Sequence, residues 1–116
     1  MWIHPKEMSE IAYKACLGKD TPEMRNLITE SIWAYYYCKD IKDIPEMRDR
    51  ITESMWTYEY CKRVKDRPKV RSRITTSEWA FEYCRWIKDR PEMRARITDK
   101  KYLKELPNVD LPKRNV

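Results

Sequence analysis

Four cysteines are the side chains of this sequence whose chemistry first suggests a metal site or disulfide bonds. They are Cys16, Cys38, Cys61 and Cys84, at intervals of 22, 23 and 23 residues. Zinc sites use closely spaced pairs such as C-x-x-C with further Cys or His ligands, and the single histidine, His4, lies beside the N-terminus. The even spacing instead predicts one small, buried, apolar cysteine at the same place in each of several structural units.

The same spacing argues against disulfide bonds between these units. Equivalent helices of neighbouring units pack about 8–10 Å apart, whereas a disulfide joins Cα atoms within about 7 Å. We therefore expect four reduced thiols, with no metal and no cofactor, in a protein that folds in a reducing compartment.

Patterns that position a catalytic base are absent from the sequence. It has no G-x-S-x-G motif, no glycine-rich phosphate loop and no recognisable pair of carboxylates on one facing surface. Acid–base and nucleophilic catalysis both need a positioned base. The sequence therefore favours a protein that is not an enzyme.

A repeat of 23 residues organises the chain. The segment Pro45–Arg67 is identical to Pro68–Arg90 at 13 of 23 positions and to Pro22–Ile44 at 15. A period in this range is typical of repeat arrays. We define each repeat as a unit. Residues 22–44, 45–67 and 68–90 are full units, 1–21 and 91–107 are N-terminal and C-terminal capping units, and 108–116 are a tail.

Each full unit is predicted to hold two helices. Proline suits the first helical position, and Met47 and Ile51 lie four residues apart on one face, which predicts a first helix of about two turns. Thr52 is the expected N-cap of the second helix because its hydroxyl accepts from an early backbone N–H. The other units place the same residue type there, at Thr29, Thr75 and Thr98.

The second helix carries a wide apolar stripe that includes Trp56, Tyr60 and Cys61. Core packing is the commoner meaning of such a stripe, and stacking platforms for bases are the alternative. A helix that is apolar over this much of its surface needs neighbours on both sides. The sequence therefore predicts an all-α fold, a short α-solenoid of helix-turn-helix repeats with a 23-residue period.

Other repeat architectures do not fit this pattern. Leucine-rich repeats need L-x-x-L-x-L strands, and tetratricopeptide and ankyrin units are about 33–34 residues long. The recurring proline interrupts the heptads of a continuous coiled coil.

The pattern A-Y-x-Y-C/A followed by I-K-D-R-P-E-M resembles tandem helical repeats in uncharacterised proteins of tailed bacteriophages and giant viruses. Those units typically read W-A-Y-x-Y-A and then V-I-x-G-R-x-P-E, and the match covers about residues 22–98. The resemblance implies a helical-repeat architecture and a viral origin. It carries no catalytic residues.

Net charge is +6, and the excess lies in the C-terminal half. Residues 68–90 hold six basic and three acidic residues, and 91–116 hold seven and four. One hypothesis is nucleic-acid binding by this half. Its candidate residues are Arg71, Arg73, Lys88, Arg90, Arg94 and Arg96. The alternative pairs the repeated arginines Arg25, Arg48, Arg71 and Arg94 with acidic side chains. Those acidic residues are Glu30, Glu53, Asp43, Asp66 and Asp89.

Positions that vary from unit to unit on the second helix are free of structural constraint, so they are the candidates for binding a partner. Aromatic and arginine side chains dominate interface energetics, which selects Tyr36, Arg63, Arg85 and Trp86. Trp86 stands where another unit has Arg63, and it either packs against Tyr83 or is exposed. A host or viral protein is the expected partner, with nucleic acid as the alternative.

No apolar run approaches the length of a membrane span, and Met1–Pro5 lacks the basic and apolar regions of a signal peptide. We therefore expect no membrane partner and a cytoplasmic protein, in the host cytoplasm if it is viral.

Overall fold

The computed structural model describes residues 2–106, and within that range the chain is all-helical, with nine helices and no strand. The helices are α1 (Pro5–Gly18), α2 (Pro22–Arg25), α3 (Ser31–Asp40), α4 (Pro45–Arg48), α5 (Ser54–Arg63), α6 (Pro68–Arg71), α7 (Ser77–Trp86), α8 (Pro91–Arg94) and α9 (Lys100–Leu103). The predicted all-α class is confirmed. Pro107 and the tail 108–116 lie outside the described residues. No helix in the described range is both long and apolar enough to cross a membrane.

Short and long helices alternate with the period of the sequence repeat. Helices α2, α4, α6 and α8 each have four residues and begin at a proline, and α3, α5 and α7 each have ten residues and begin at a serine. Contacts join α1 to α3, α3 to α5, α5 to α7 and α7 to α9, and α1, α3, α5 and α7 each also pack on the short helix that follows. The principal extents are 60 × 25 × 16 Å.

The first helix of each unit is shorter than the two turns that the sequence predicts. Helix α4 ends at Arg48, and the chain continues in a tight turn in which the amides of Arg50 and Ile51 donate to the carbonyls three residues earlier. Such i→i−3 bonds commonly finish a short helix. Met47 and Ile51 still reach the core together, since both are 0% exposed.

The predicted threonine N-caps are wrong, because the N-cap of each of these helices is the residue that follows the threonine. Glu53, and not Thr52, is the N-cap residue of α5, and its own side chain makes no capping bond. Instead the Ser31 hydroxyl on α3 accepts from the amides of Thr52 at 3.0 Å and Glu53 at 3.2 Å. The buried Ser31 therefore satisfies donors that a helix start leaves unpaired.

This contact recurs at every junction between described units. The amides of Thr29, Thr75 and Thr98 donate to Ser9, Ser54 and Ser77 in the same way. Within the following turn, Thr76 caps α7 and Asp99 caps α9 with their own side chains. None of the four predicted threonines is an N-cap residue, because a serine from the preceding long helix binds its amide.

Tyrosines of the long helices lie at the centre of the core. Tyr37, Tyr60 and Tyr83 are 0% exposed, whereas Trp33, Trp56 and Trp79 of the same helices are partly buried and pack at the edge. The sequence stripe thus identified the buried side of the helix, but tyrosine takes the innermost position. Tyrosine takes this position because its hydroxyl donates to an aspartate of the preceding unit.

Candidate binding surface

At the junctions α1–α3, α3–α5 and α5–α7 a carboxylate holds the inner tyrosine and one or two arginines. Asp43 accepts from the Tyr60 hydroxyl at 2.8 Å, from Nε of Arg48 at 3.2 Å and from Nη2 of Arg67 at 3.1 Å. Burial alone would raise the pKa of Asp43, but the hydrogen bonds from Tyr60 and Arg67 and the charge of Arg48 lower this pKa overall. Asp43 is therefore an ionised structural group.

The same arrangement shows which acidic side chains the repeated arginines bind. Arg25 binds Asp20 at 3.0 Å, Arg71 binds Asp66 at 2.8 Å and Arg94 binds Asp89 at 2.5 Å. Their pairing with acidic side chains is thus confirmed for the aspartates. The expected pairing with Glu30 and Glu53 is not found among the described residues, because the aspartate five residues before each arginine lies on the same side of the short helix.

A second set of arginines binds backbone carbonyls of the preceding unit. Nη1 of Arg73 donates to the carbonyls of Arg48 at 2.9 Å and Ile51 at 3.1 Å. Arg50 and Arg96 make the equivalent bonds. The last carbonyls of a helix lack partners within the helix, so these cations complete the ends of α2, α4 and α6. They are structural, and they account for part of the basic excess.

These contacts engage most of the cations on which the nucleic-acid hypothesis depends. Five of its six candidates are engaged by carboxylates, by carbonyls or by a tyrosine hydroxyl. They are Arg71, Arg73, Arg90, Arg94 and Arg96. Lys88 is exposed, and within residues 2–106 it has no ion pair. The structure does not assemble the six into one free basic patch.

Two predicted partner-binding residues line one groove between α3 and α5. The groove has a volume of about 340 Å³. It is lined by Tyr35, Tyr36, Lys39, Trp56, Glu59 and Arg63. The ring centroids of Tyr36 and Trp56 lie 6.0 Å apart, and Nζ of Lys39 lies 5.8 Å above the Tyr36 ring. Arg63 binds Glu59 at 2.7 Å on the opposite wall. The groove thus has an aromatic floor and charged sides.

The other two predicted residues are neighbours on α7. Trp86 is 56% exposed, which decides between the two interpretations of this residue. Cζ of Arg85 lies 4.8 Å from the centroid of its ring, and Nζ of Lys62, on α5, lies 5.9 Å from it. Two cations from different units therefore flank one exposed indole.

The 23-residue register relates these two places. One unit after Lys39 and Arg63, the corresponding residues are Lys62 and Trp86. The indole therefore occupies, between α5 and α7, the position that Arg63 has between α3 and α5. We name this side of the long helices the aromatic–cationic face. It consists of Tyr36, Lys39, Lys62, Arg63, Arg85 and Trp86.

Ring pairs at the junctions are structural and do not form free stacking platforms. One ring from each long helix packs on a ring of the next, with centroids 5.1–5.3 Å apart. The pairs are Tyr13–Trp33, Tyr35–Trp56, Tyr58–Trp79 and Phe81–Tyr102. Such offset pairs add to the energy of apolar burial. The repeated tryptophans are thus explained by packing between units.

A larger groove of about 400 Å³ lies between α4 and α6, but its charged walls are already engaged. Arg48 and Arg67 hold Asp43, and Asp66 holds Arg71. Lys69 lies 3.9 Å from Asp49. This groove is therefore a by-product of the network that joins the units.

The cysteines are buried, as the sequence predicts, and are free thiols. Burial raises the pKa of Cys38 and of Cys61 to about 12, and that of Cys84 to about 11. Thiols with such pKa values are poor nucleophiles near neutral pH. Within residues 2–106, no group of three or more His, Cys, Asp or Glu side chains is placed to hold a metal ion.

Comparison with protein-family models, with curated proteins and with solved structures gives no significant match.

Proposed function

We propose that this protein is a short α-solenoid of helix-turn-helix repeats that binds another protein through its aromatic–cationic face and catalyses no reaction. The main observation behind this proposal is that Tyr36 and Arg63, from different units, line one groove, while Trp86 is exposed beside Arg85. Arg63, Arg85 and Trp86 are exposed, whereas Tyr36 is half-buried and its ring also contacts Tyr13 and Trp56 of the neighbouring units. Tryptophan, tyrosine and arginine are the residue types that contribute most to binding at protein interfaces.

The repeated contacts between long helices support the solenoid part of the proposal. The junctions α3–α5 and α5–α7 use the same serine, the same ring pair and the same aspartate–tyrosine contact at the same spacing. Stacked units of this kind display one side of every long helix along an extended surface. That surface suits a partner that contacts several units together.

A host or viral partner in the cytoplasm follows from the resemblance to viral helical repeats. Four buried cysteines, one in each of the first four units, suit a compartment in which thiols stay reduced. We therefore place both binding and folding in the cytoplasm, which is the host cytoplasm for a viral protein.

Capture from nuclease-treated host lysate tests this function if the parent chain is compared with Trp86→Ala and Arg63→Ala. Both variants should lose the captured protein and keep a melting temperature within a few degrees of the parent, because both side chains are largely exposed. Lys6→Ala on α1 is the matched control, since Lys6 is exposed and far along the chain from the face.

Two outcomes would contradict the proposal. Variants that capture the same protein as the parent would show that the face is not used, and variants that unfold would show that it is structural. A complex that disappears on nuclease treatment and weakens steeply with salt would instead support nucleic-acid binding.

A further inference from the structure

We infer that Arg85 and Lys62, held over the Trp86 ring, form a carboxylate-binding site, and that the protein partner presents an acidic segment to it. This inference rests on the proposed function and names the chemistry of the partner.

Arg85 differs from the other arginines in its bonding. Every other arginine within residues 2–106 donates to a carboxylate or to a backbone carbonyl. The guanidinium of Arg85 makes neither contact, and it lies over two rings instead, 5.4 Å from the centroid of Phe81 and 4.8 Å from that of Trp86. Among the arginines of residues 2–106, Arg85 is thus the one with neither a carboxylate nor a carbonyl partner.

Stacking on an aromatic ring leaves the donors of a guanidinium available. The ring contacts the flat side of the group, while the N–H bonds point outward in the plane of the guanidinium. A carboxylate fits this edge with two parallel hydrogen bonds. The ring also restricts the side chain before binding, which lowers the entropy lost on association.

Lys62 brings a second cation to the same ring from the neighbouring unit. Its ammonium nitrogen lies 5.8 Å from the centroid of Tyr58 and 5.9 Å from that of Trp86. Within the described residues Lys62 has no ion pair. Charges of one sign from two helices therefore converge on one exposed indole. A negatively charged side chain bound there would contact both units.

The geometry favours a carboxylate over the phosphates of a nucleic acid. A base that stacked on Trp86 would have to displace Arg85 or Lys62, because both lie over the indole. Glu59 and Glu82 also lie on neighbouring turns of α5 and α7, and they would repel a continuous phosphate chain. An acidic protein segment can place its few carboxylates at the two cations alone.

Selection from a random peptide library on the full chain tests this inference and does not require the partner to be identified. Peptides selected on the parent should be enriched in Asp and Glu. Selection on Arg85→Glu should lose that enrichment, and selection on Lys6→Glu, a matched charge reversal on α1, should keep it. The tightest peptide, synthesised with a fluorescent label, should bind Arg85→Glu about tenfold or more weakly by anisotropy.

A more conservative variant separates charge from geometry. Arg85→Lys keeps the charge but loses the planar fork, so it should recover only part of the affinity. A melting temperature close to that of the parent is expected for all these variants, because Arg85 is exposed.

The outcomes distinguish this inference from the function on which it rests. Selected peptides without acidic enrichment that still depend on Tyr36, Arg63 or Trp86 would overturn the carboxylate site and leave the binding face intact. Peptides indifferent to all of these residues, or no selected peptide, would overturn both. Tighter binding of a single-stranded oligothymidylate, lost in Trp86→Ala, would assign the site to phosphate and overturn the inference.

Discussion

The hydroxyl of Thr57 lies in the core of the second full unit without a hydrogen-bond partner, and no other buried side-chain oxygen or nitrogen among the described residues shares this state. Thr57 is 0% exposed, and the neighbouring units have Ala34 and Ala80 in its place, also 0% exposed. The fold therefore accommodates alanine at this position and gains no bond from threonine.

Replacement of this residue should not harm the protein. A buried hydroxyl without a partner costs about 1–3 kcal/mol, while loss of one buried methyl costs about 1 kcal/mol. We expect Thr57→Ala to leave the free energy of unfolding unchanged or to raise it by about 1 kcal/mol. Urea unfolding of both chains measures this change, and a loss above about 1 kcal/mol would show that the hydroxyl has a partner.

The cysteines give a second prediction at the scale of single residues. Burial raises the pKa of Cys38 and Cys61 to about 12, so the thiolate fraction near pH 8 is very small. A disulfide reagent at that pH should modify the folded protein slowly and the urea-unfolded protein at once. Rapid modification of all four thiols in the folded state, followed by absorbance, would show that the units open far more easily than their packing implies.

Sequence reasoning placed the right residue types in the core but did not rank them. Trp56 and Tyr60 share one stripe, and periodicity alone does not show which is deeper. The structure buries Tyr60 fully because its hydroxyl reaches Asp43, which lies 17 residues earlier in the chain. A pattern with a period of three or four residues contains no information about a contact at that distance.

At the scale of the helices, boundaries were easier to predict than the groups that fix them. Proline opens α2, α4, α6 and α8, and the residue before it is extended, as for Arg67 at φ −102° and ψ 135°. The caps were missed because Thr52 satisfies the local rule for an N-cap. Its competitor, Ser31, lies 21 residues away and becomes a neighbour only when α3 and α5 pack.

Removal of one such serine should weaken the junction that it closes. Ser31→Ala leaves the amides of Thr52 and Glu53 without their acceptor, and loss of a capping hydroxyl costs about 0.5–2 kcal/mol. Ser72→Ala is the matched control, because Ser72 is exposed and Ala95 takes its place in the next unit. Thermal unfolding should show a lower melting temperature for Ser31→Ala and almost no change for the control. Equal effects of the two substitutions would exclude the capping role.

At the scale of the whole molecule, the half-buried aspartates at the junctions connect stability to pH. Burial opposes ionisation of Asp20, Asp43 and Asp66, but tyrosine and arginine hydrogen bonds lower the pKa of each carboxyl overall. A carboxyl with a lower pKa in the folded state contributes stability above its unfolded pKa of about 4 and loses it as pH falls further. We therefore expect the free energy of unfolding to decline from about pH 4 downward.

Denaturant unfolding at a series of pH values measures this decline. Asp43→Asn should lower stability at neutral pH and also make the dependence below about pH 4 less steep, because one linked carboxyl is gone. An unchanged slope would show that Asp43 titrates alike in the folded and unfolded states.

Charge illustrates what the sequence alone could not reveal about the molecule. The basic excess of the C-terminal half was a reasonable indication of nucleic-acid binding. The structure instead uses Arg73 and Arg96 to close helix ends and Arg90 to hold a tyrosine and an aspartate. Composition gives the number of cations but does not show which of them bind a carbonyl. Among the described arginines, only Arg85 binds neither a carboxylate nor a carbonyl and lies over aromatic rings instead.

The serine contacts between units also bear on how such a chain changes its length. The junctions α3–α5 and α5–α7 join the same serine, aromatic and aspartate positions across the same separations. A gene duplication within the full repeats that adds a whole multiple of 23 codons therefore creates a junction with all of its partners, wherever the duplicated stretch begins. An insertion of any other length in a long helix shifts the serine away from the amides that it caps. A change of length in steps of one repeat therefore preserves these contacts, whereas a change of any other length disrupts them.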